Sequence, residues 1–568
     1  MAYVDGEWLD YSARERYIDE LIAEKKLLAA LVQSDKAFEQ DIIRLEFVLD
    51  EIDRVKRIHR SEHDLLYFTY EYFSSELNPE NVSNLIPEGQ TFLDAAEFHR
   101  TLCSLLDEVT KGNQQTNVGW SVGRRHAKTA YLSNAYLCHQ VVFRLQKYIV
   151  EVSETTDVAG DFIKWTVNQL KFNEKLIGDF GVLLYEKPSM NEVDNKYEFI
   201  TTTGTKVEAK GIGTQMRGLR HLSERPGLFI LDDLESGDNT NTPELRAKNL
   251  HWFRAEMLEA LGFGGMCIYM GTIVHYDSLL NHVLTKRKDF VSKKFPAILS
   301  WSEREDLWEE WRRIYNQDDK DAKANADAFY EANRDEMDRG TETLWPIYTY
   351  KYFMEKREDM GARAFNQEYL GNPVDEESQV FKINDFVYFT DEDIEGKPLS
   401  YYCGIDIAMG KEKGDYSAII TVAKNQETGV NYVVDVFLER VKPDVLLKQA
   451  VAKTMVFQYE SMAVEAQMMQ EWWAQQLAEE LQNNGYPSHT RLKPIKQRTR
   501  KALRIESLLP DIQNGKIRFK KEQRLLLEMF ELYPNHNHDD GPDALHMAVT
   551  AAAGGSATVR TVRMQHRR

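Results

Sequence analysis

The sequence predicts an α/β fold, with a helical region in front of two helix-covered sheets, and three observations carry that prediction. The runs at 228–231 (Leu-Phe-Ile-Leu) and 266–270 (Met-Cys-Ile-Tyr-Met) are short and wholly apolar, as parallel strands buried on both faces are. Between residues 117 and 273 such runs alternate with Gly-containing turns and helical stretches, the pattern of a sheet covered by helices. From Tyr401 a second strand series begins, at 401–407, 417–423, 432–438 and 461–465, with helices after Pro443 and after Met468.

The other elements follow in chain order. Over the first eighty residues apolar positions recur with heptad-like spacing through Tyr17, Leu21, Leu27, Leu31 and across 42–49, with charges between them, so amphipathic helices are expected. Residues 302–339 read as helical and strongly acidic, and Leu344-Trp345-Pro346 ends that stretch. Asn372-Pro373 marks a second break, and Gly554-Gly555-Ser556 opens a flexible basic tail ending in Arg567-Arg568. The expected division is a helical region over 1–90, a first α/β domain over 91–340 that includes the acidic helices of 302–340, a linker over 341–385, a second α/β domain over 386–553, and the tail over 554–568.

At 568 residues several structural units are expected, on a prior of ~150 residues per domain. With 42% hydrophobic and 29% charged residues the chain reads as a soluble globular protein. No run approaches the ~18 apolar residues of a membrane span, and the N-terminus lacks a signal-peptide pattern, so no membrane association is expected. Cys103, Cys138, Cys267 and Cys403 form no CxxC pair and are expected as small buried hydrophobes. A formal net charge of −20 argues against nucleic acid as a partner, but the average hides an asymmetry. Arg491, Lys493, Lys496, Arg498, Arg500, Lys501 and Arg504 form a run with no intervening carboxylate, suited to a DNA backbone; a solvated helix face is the alternative.

A first candidate site lies at Val118-Gly119-Trp120-Ser121-Val122-Gly123-Arg124-Arg125-His126-Ala127-Lys128-Thr129, which ends an apolar stretch and opens a helix. In a strand, loop and helix of this kind the backbone N–H groups and the helix start face a phosphate, Lys reaches the β- and γ-phosphates, and Thr ligates Mg²⁺. Gly is absent where a standard phosphate loop has it, at Val122 and Ala127. About a hundred residues later Asp232 and Asp233 follow the apolar run at 228–231, which puts two acids at the C-terminal edge of a central strand. Asp232 is the candidate for hydrated Mg²⁺ and Asp233 for polarising the attacking water. Thr272 ends a third strand, where a γ-phosphate sensor belongs.

The second candidate site is acidic. Asp406 sits within the apolar strand Cys403-Gly404-Ile405-Asp406-Ile407, and an unpaired charge there is costly. Asp415 lies at the next turn, Glu465 ends a later strand, and His538-Asp539-Asp540-Gly541-Pro542-Asp543 opens the final helix. Acids delivered by two strand ends and a helix start can converge on two divalent ions for phosphodiester hydrolysis. Helix capping is the other use of the last group.

Gly123-Arg124-Arg125-His126-Ala127-Lys128-Thr129 resembles the variant Walker A of the large terminase subunits of tailed phages, in which an Arg, here Arg124, stands four residues before the Lys. The acid pair resembles their Walker B, whose second acid is often Glu, so the resemblance leaves Asp233 and Glu235 both open as the water-positioning residue. Gly271-Thr272 is similar to their coupling motif, and the segment from Gly211 to Arg220 to their Gly-Arg segment, with Arg217 or Arg220 acting across a subunit boundary or standing in a surface turn. The order strand-Asp, strand-Glu, helix-Asp resembles their RNase H-like nuclease domain; Asp406 and Glu465 map onto it, Asp540 and Asp543 both fit the last position, and Asp415 fits an auxiliary acid. Phe365-Asn366-Gln367-Glu368-Tyr369-Leu370-Gly371-Asn372-Pro373 looks like the segment joining motor to nuclease.

The resemblance runs from about Phe92 to Thr550. It implies a RecA/ASCE-like P-loop ATPase domain, with ATP and Mg²⁺ held by Arg124, Arg125, His126, Ala127, Lys128, Thr129 and Asp232 and with Arg124, Asp233 or Glu235, and Thr272 acting in turnover. It implies an RNase H-like domain using Mg²⁺ or Mn²⁺. The implied partners are double-stranded DNA, a portal protein, a small terminase subunit and further copies in a ring on the procapsid. The implied location is the host cytoplasm, docked transiently on the procapsid and absent from the mature virion. Three other readings compete. A nucleic-acid-stimulated ATPase or helicase without nuclease activity leaves Asp406, Glu465 and Asp543 unused; a transposase-type nuclease leaves the phosphate loop idle; an ATP-binding scaffold uses neither chemistry.

Overall fold

The computed structural model describes residues 2–4, 7–34, 37–111, 116–317, 319–373, 380–408, 416–465, 469–495, 500–534, 536 and 538–554. These fall into two compact units, the first of residues 1–300, 342–353 and 364–373, the second of 301–341, 354–363 and 374–568. Of the sequence features named above, Asp415, Lys496, Arg498 and the tail from Gly555 onward lie outside the described residues.

The first unit opens with the helices α1 (Tyr11–Gln33), α2 (Glu39–Ser61) and α3 (Leu65–Phe73). Asp10 and Asp64 cap α1 and α3 by accepting from Ala13 N and Tyr67 N, as N-cap carboxylates do. These helices are not a region apart, as the expected boundary at residue 90 has it. Leu65, Phe68, Tyr72 and Phe73 are fully buried in the same core as the strands that follow, and Asp179 takes both the Arg57 guanidinium at 2.8 Å and the Tyr72 hydroxyl at 2.7 Å.

After α4 (Glu97–Lys111) the sheet strands are β1 (Asn117–Val122), β2 (Tyr148–Ser153), β3 (Glu198–Ile200), β4 (Lys206–Gly211), β5 (Leu228–Asp232), β6 (Met266–Gly271) and β7 (Phe290–Phe295). Their order is β3-β4-β2-β5-β6-β1-β7, and every pairing is parallel except β3 with β4. The central strands β1, β2, β5 and β6 are buried at every position, which is why 228–231 in β5 and 266–270 in β6 read as unbroken apolar runs. The π-helical turn Ala130–Tyr136 and α5 (Leu137–Val142) follow β1, α6 (Thr156–Phe172) follows β2, and α7 (Leu279–Lys286) follows β6.

The acidic helices expected in the first domain belong instead to the second unit: α8 (Glu305–Tyr315) and α9 (Ala322–Met337). A long-range ion pair that sequence proximity does not show ties α8 into that unit. Buried Arg312 on α8 donates to Glu358 on α10 (Tyr350–Met360) at 2.6 Å and to Glu528 at 2.9 Å. After α11 (Ala362–Glu368) come β8 (Val387–Tyr388), β9 (Leu399–Asp406), β10 (Ser417–Asn425), β11 (Asn431–Glu439), α12 (Pro443–Phe457), β12 (Ser461–Glu465), α13 (Met469–Asn483) and β13 (Leu492–Ile495). The chain closes with α14 (Lys501–Glu506), β14 (Ile517–Phe519), α15 (Arg524–Glu531) and α16 (Asp540–Gly554). The sheet order is β8-β14-β11-β10-β9-β12-β13, with β10 antiparallel to both its neighbours. Gly404 positions the final helix, because a Cβ there would lie 2.0 Å from Ala544 O and 2.6 Å from Ala548 N. All four cysteines are free and buried, as expected. Among the described residues no helix is long and apolar enough to cross a membrane.

Candidate functional site

In the first unit β1, β5 and β6 end side by side. Lys128, just after the loop that follows β1, pairs with Asp233 at 2.6 Å, and its Nζ lies 3.5 Å from the Thr272 hydroxyl. Thr272 N donates in turn to Asp233 Oδ1 at 3.0 Å. Asp232 is fully buried behind them and accepts from Ser133 Oγ at 3.0 Å, with the Thr129 hydroxyl also on its carboxylate. Burial and the neighbouring Asp233 push Asp232 up to about 6, against the pull of Lys128. A carboxylate held at this cost beside a Thr hydroxyl has the oxygen chemistry of a Mg²⁺ site.

The site carries backbone strain, at Ala127 where glycine is missing and at two further positions. Arg125 and Ala127 take left-handed φ values of 68° and 55°, and Asp233 one of 44°. The His126 ring, expected at the nucleotide, is buried: Nδ1 contacts the carbonyls of Gly123 at 3.0 Å and Arg124 at 2.8 Å, so the ring braces the loop from behind. Glu235 also takes another role. Its carboxylate accepts from Leu279 N at 2.7 Å and Leu280 N at 2.9 Å, which caps α7 and leaves Asp233 as the acid facing the phosphate loop. Arg217 and Arg220 are exposed, Arg217 donating to Ala255 O at 3.4 Å. Sequence reasoning gave no role to Glu151 on β2, which is fully buried and pushed well above the carboxylate range by burial and by Asp232. Nor did it find the cavity of about 30 Å³ that Tyr70, Gln90, Tyr131 and Trp345 line beside Ala127.

In the second unit Asp406 is the last residue of β9, at the strand end rather than within the strand, and β12 beside it ends in Glu465. Helix α16 brings Asp540 and Asp543 over the same edge. Carboxylate oxygens of Asp406, Glu465 and Asp543 all lie within 4.8 Å of one another, a donor set of hard oxygens suited to Mg²⁺ or Mn²⁺. Asp540 stands beside this group, accepting from Tyr416 N at 3.0 Å. Burial, with Asp540, Asp543 and Glu465 adding to it against Lys501, pushes Asp406 up to about 7. Glu465 is raised by burial and Asp543.

The basic run enters the same site. Lys501 Nζ lies 2.7 Å from Asp539, 2.9 Å from Asp540 and 3.5 Å from Asp406, and Arg504 grips Asp543 with Nε at 2.9 Å and a second nitrogen on the other oxygen. Burial works to lower Lys501, yet Asp406 and Asp540 hold it above its ordinary value. These two side chains are therefore counter-ions of the acids rather than free DNA contacts, and their i, i+3 spacing on α14 is a signal the sequence reading did not use. An ammonium drawn in among three carboxylates is a cation-binding environment already in use.

Comparison with known proteins gives a family match within the second unit. A family model described as the terminase RNaseH-like domain matches residues 403–552. No curated protein matches the chain. Among solved structures, the large terminase from a thermophilic bacteriophage, in complex with ADP, is 9% identical, over 80% of this chain and 98% of that one, with a TM-score of 0.26. The large terminase nuclease from thermophilic phage G20c with bound cobalt is 14% identical over 30% of this chain and 97% of its own, with a TM-score of 0.21. The human cytomegalovirus terminase nuclease domain, Mn soaked and inhibitor bound, is 12% identical over 30% and 95%, with a TM-score of 0.24. The matched family model takes in the strand-end Asp406 and Glu465 and the helix-start Asp540 and Asp543, so over residues 403–552 this chain is similar to the terminase RNaseH-like domain.

Proposed function

We propose that this chain hydrolyses ATP to drive double-stranded DNA into a procapsid and cuts that DNA with its C-terminal domain. The observation that carries the reading is the occurrence in one chain of two separate phosphate chemistries: Lys128 with Asp232, Asp233 and Thr272 on adjacent strand ends, and the Asp406, Glu465 and Asp543 group within 4.8 Å.

At the first site Lys128 neutralises charge on the terminal phosphates, and phosphate entering there displaces Asp233 from it. Asp233, freed from the ammonium, orients the attacking water and accepts its proton. Thr129 and Asp232 would hold Mg²⁺, and Thr272 N–H fixes the position of Asp233. At the second site Asp406, Glu465 and Asp543 would hold divalent ions, whose chemistry is to activate water and stabilise the leaving oxygen of a phosphodiester. There Lys501 and Arg504 hold the acids together by ion pairs, and with a divalent ion bound in their place both side chains would be free to meet DNA phosphate. In this reading the partners are double-stranded DNA, a portal protein, a small terminase subunit and further copies of the chain in a ring on the procapsid, within the host cytoplasm.

Lys128→Ala tests the motor: ATP turnover and packaging are expected to be lost while cleavage of plasmid with Mg²⁺ or Mn²⁺ continues. Turnover at the wild-type rate would reject the assignment. A helicase-like ATPase without a nuclease is excluded if that cleavage is found and Asp406→Asn removes it.

A further inference from the structure

Two cations of the phosphate loop, Lys128 and Arg124, are held by carboxylates, and one of those carboxylates has no assigned role. Lys128 pairs with Asp233, whereas Arg124 pairs through Nε with Glu368, the last residue of α11. Glu368 stands in the stretch 364–373, which belongs to the first unit. That stretch is fastened to the loop by its backbone as well. Arg124 N donates to Glu368 O at 3.1 Å, and Ala297 N donates to Tyr369 O at 2.8 Å. A Cβ on Gly123 would meet Tyr369 O at 2.7 Å, so only glycine permits this approach. Gly371, at a left-handed φ of +62°, comes equally close to Ser121, whose Oγ a Cβ would meet at 2.9 Å.

The electrostatics make this contact more than a fastening. Burial raises the Glu368 carboxyl, Arg124 and Lys128 lower it and Asp233 raises it, so the group feels all three charges of the nucleotide site. Arg124, 60% exposed in its side chain, is the cation that stands with this acid at the rim of the phosphate loop.

We propose that Glu368 is a positioning residue for ATP turnover, holding Arg124 at the rim of the phosphate loop and yielding it to the terminal phosphate of a bound nucleoside triphosphate. The proposal rests on the reading of the first site as an ATPase. Its consequence is a difference between nucleotides. A triphosphate competes with Glu368 for the guanidinium, whereas a diphosphate lacks the terminal phosphate and leaves the pair in place. The side-chain tie between the loop and the 364–373 stretch then opens in the triphosphate state alone, while the backbone ties remain.

Binding of ATPγS and of ADP, each with Mg²⁺, and steady-state ATP turnover test this on the full chain. The set is wild type, Glu368→Gln, Arg124→Ala and the double variant. Glu368→Gln is expected to tighten ATPγS by about two- to fivefold, the worth of an ion pair with one partner exposed, with ADP affinity unchanged. It is also expected to lower KM and kcat together, because Arg124 is no longer aimed, and the whole effect is expected to vanish in the Arg124→Ala background. Glu368→Asp, which keeps the charge, should lie closer to wild type. Equal shifts for ATPγS and ADP, no shift in either, or an effect that survives Arg124→Ala would overturn the proposal. If Glu368→Gln does not fold, Arg124→Ala decides: it should weaken ATPγS and spare ADP, and an equal loss for both overturns the idea. Wild type that binds neither nucleotide rejects the ATPase reading itself, an outcome distinct from wild type that binds both with a Gln variant that matches it.

Discussion

The second unit contains two buried clusters of acids and bases, and they differ in balance. Around Arg312, three acids (Glu309, Glu358, Glu528) meet three arginines (Arg312, Arg357, Arg524), all within ion-pair distance. At the strand edge, five acids (Asp406, Glu465, Asp539, Asp540, Asp543) meet two bases among the described residues, Lys501 and Arg504. The protonation tendencies diverge accordingly. Burial works to raise Glu528, yet Arg357 and Arg312 bring it down to about 2, whereas Asp406 rises to about 7. A cluster that neutralises itself ties elements together; one left with excess acid is built for a cation supplied from outside.

The largest effect expected from this contrast is on cleavage. Asp406→Asn removes the acid of the triad that stands on the strand between the two that flank it, and should reduce metal-dependent plasmid cleavage by more than about a hundredfold, beyond what a change outside the ligand set costs. DNA-stimulated ATP turnover should persist. The same variant should leave the metal-free fold as stable as wild type or more so, since it relieves like-charge crowding. Wild-type cleavage rates from Asp406→Asn would put the two clusters in the same class.

Next in size is the structural cluster. Arg312→Met takes a buried partner from both Glu358 and Glu528, which costs about 3–5 kcal/mol. Hydrogen exchange in α8 and α15 should report that loss as a lower opening free energy. Replacing Arg312, Glu358 and Glu528 together by apolar residues should recover most of it, and failure to recover would mean the cluster does more than hold elements together.

A pH series sharpens the same distinction. The folded value of Glu528, about 2, lies below its ordinary carboxylate value, so its contribution to stability is present above that ordinary value and is lost as pH falls through the folded one. Wild type should therefore lose stability in the window from about pH 4 down to about pH 2, and Glu528→Gln should flatten that part of the curve. Parallel curves for the two proteins would remove Glu528 from the account.

What could be read from the sequence depended on how local the cause was. The strands Leu228–Asp232 and Met266–Gly271 were legible because burial on both faces demands apolar residues throughout. The acids at strand ends were legible because a carboxylate next to such a run needs a reason. The placement of 301–341 was not legible, since Arg312 finds partners 46 and 216 residues away. Glu235 could not be separated from Asp233 by spacing, because what removes it is the start of α7 arriving with two free N–H groups. The basic run was read as one surface, and its members Lys501 and Arg504 face inward because α14 lies against α16.

The smallest expected effect separates the two acids at the start of α16. Asp543 has no exposed surface, belongs to the group within 4.8 Å and holds Arg504 with both oxygens, whereas Asp540 offers one oxygen to Lys501 and the other to Tyr416 N. An asparagine at 540 keeps an acceptor for Tyr416 N and loses only the charge facing Lys501. Asp540→Asn should thus lower cleavage only a few-fold and cost on the order of 1 kcal/mol through the weakened helix start. Asp543→Asn should match Asp406→Asn in cleavage, because it removes a member of the ligand set and leaves Arg504 without its carboxylate. The decisive measurement is cleavage rate against Mg²⁺ concentration for the two variants side by side. If Asp540→Asn loses cleavage at every Mg²⁺ concentration and Asp543→Asn does not, the ligand set is Asp406, Glu465 and Asp540, and Asp543 joins the self-neutralising, structural kind of acid with Arg504 as its partner.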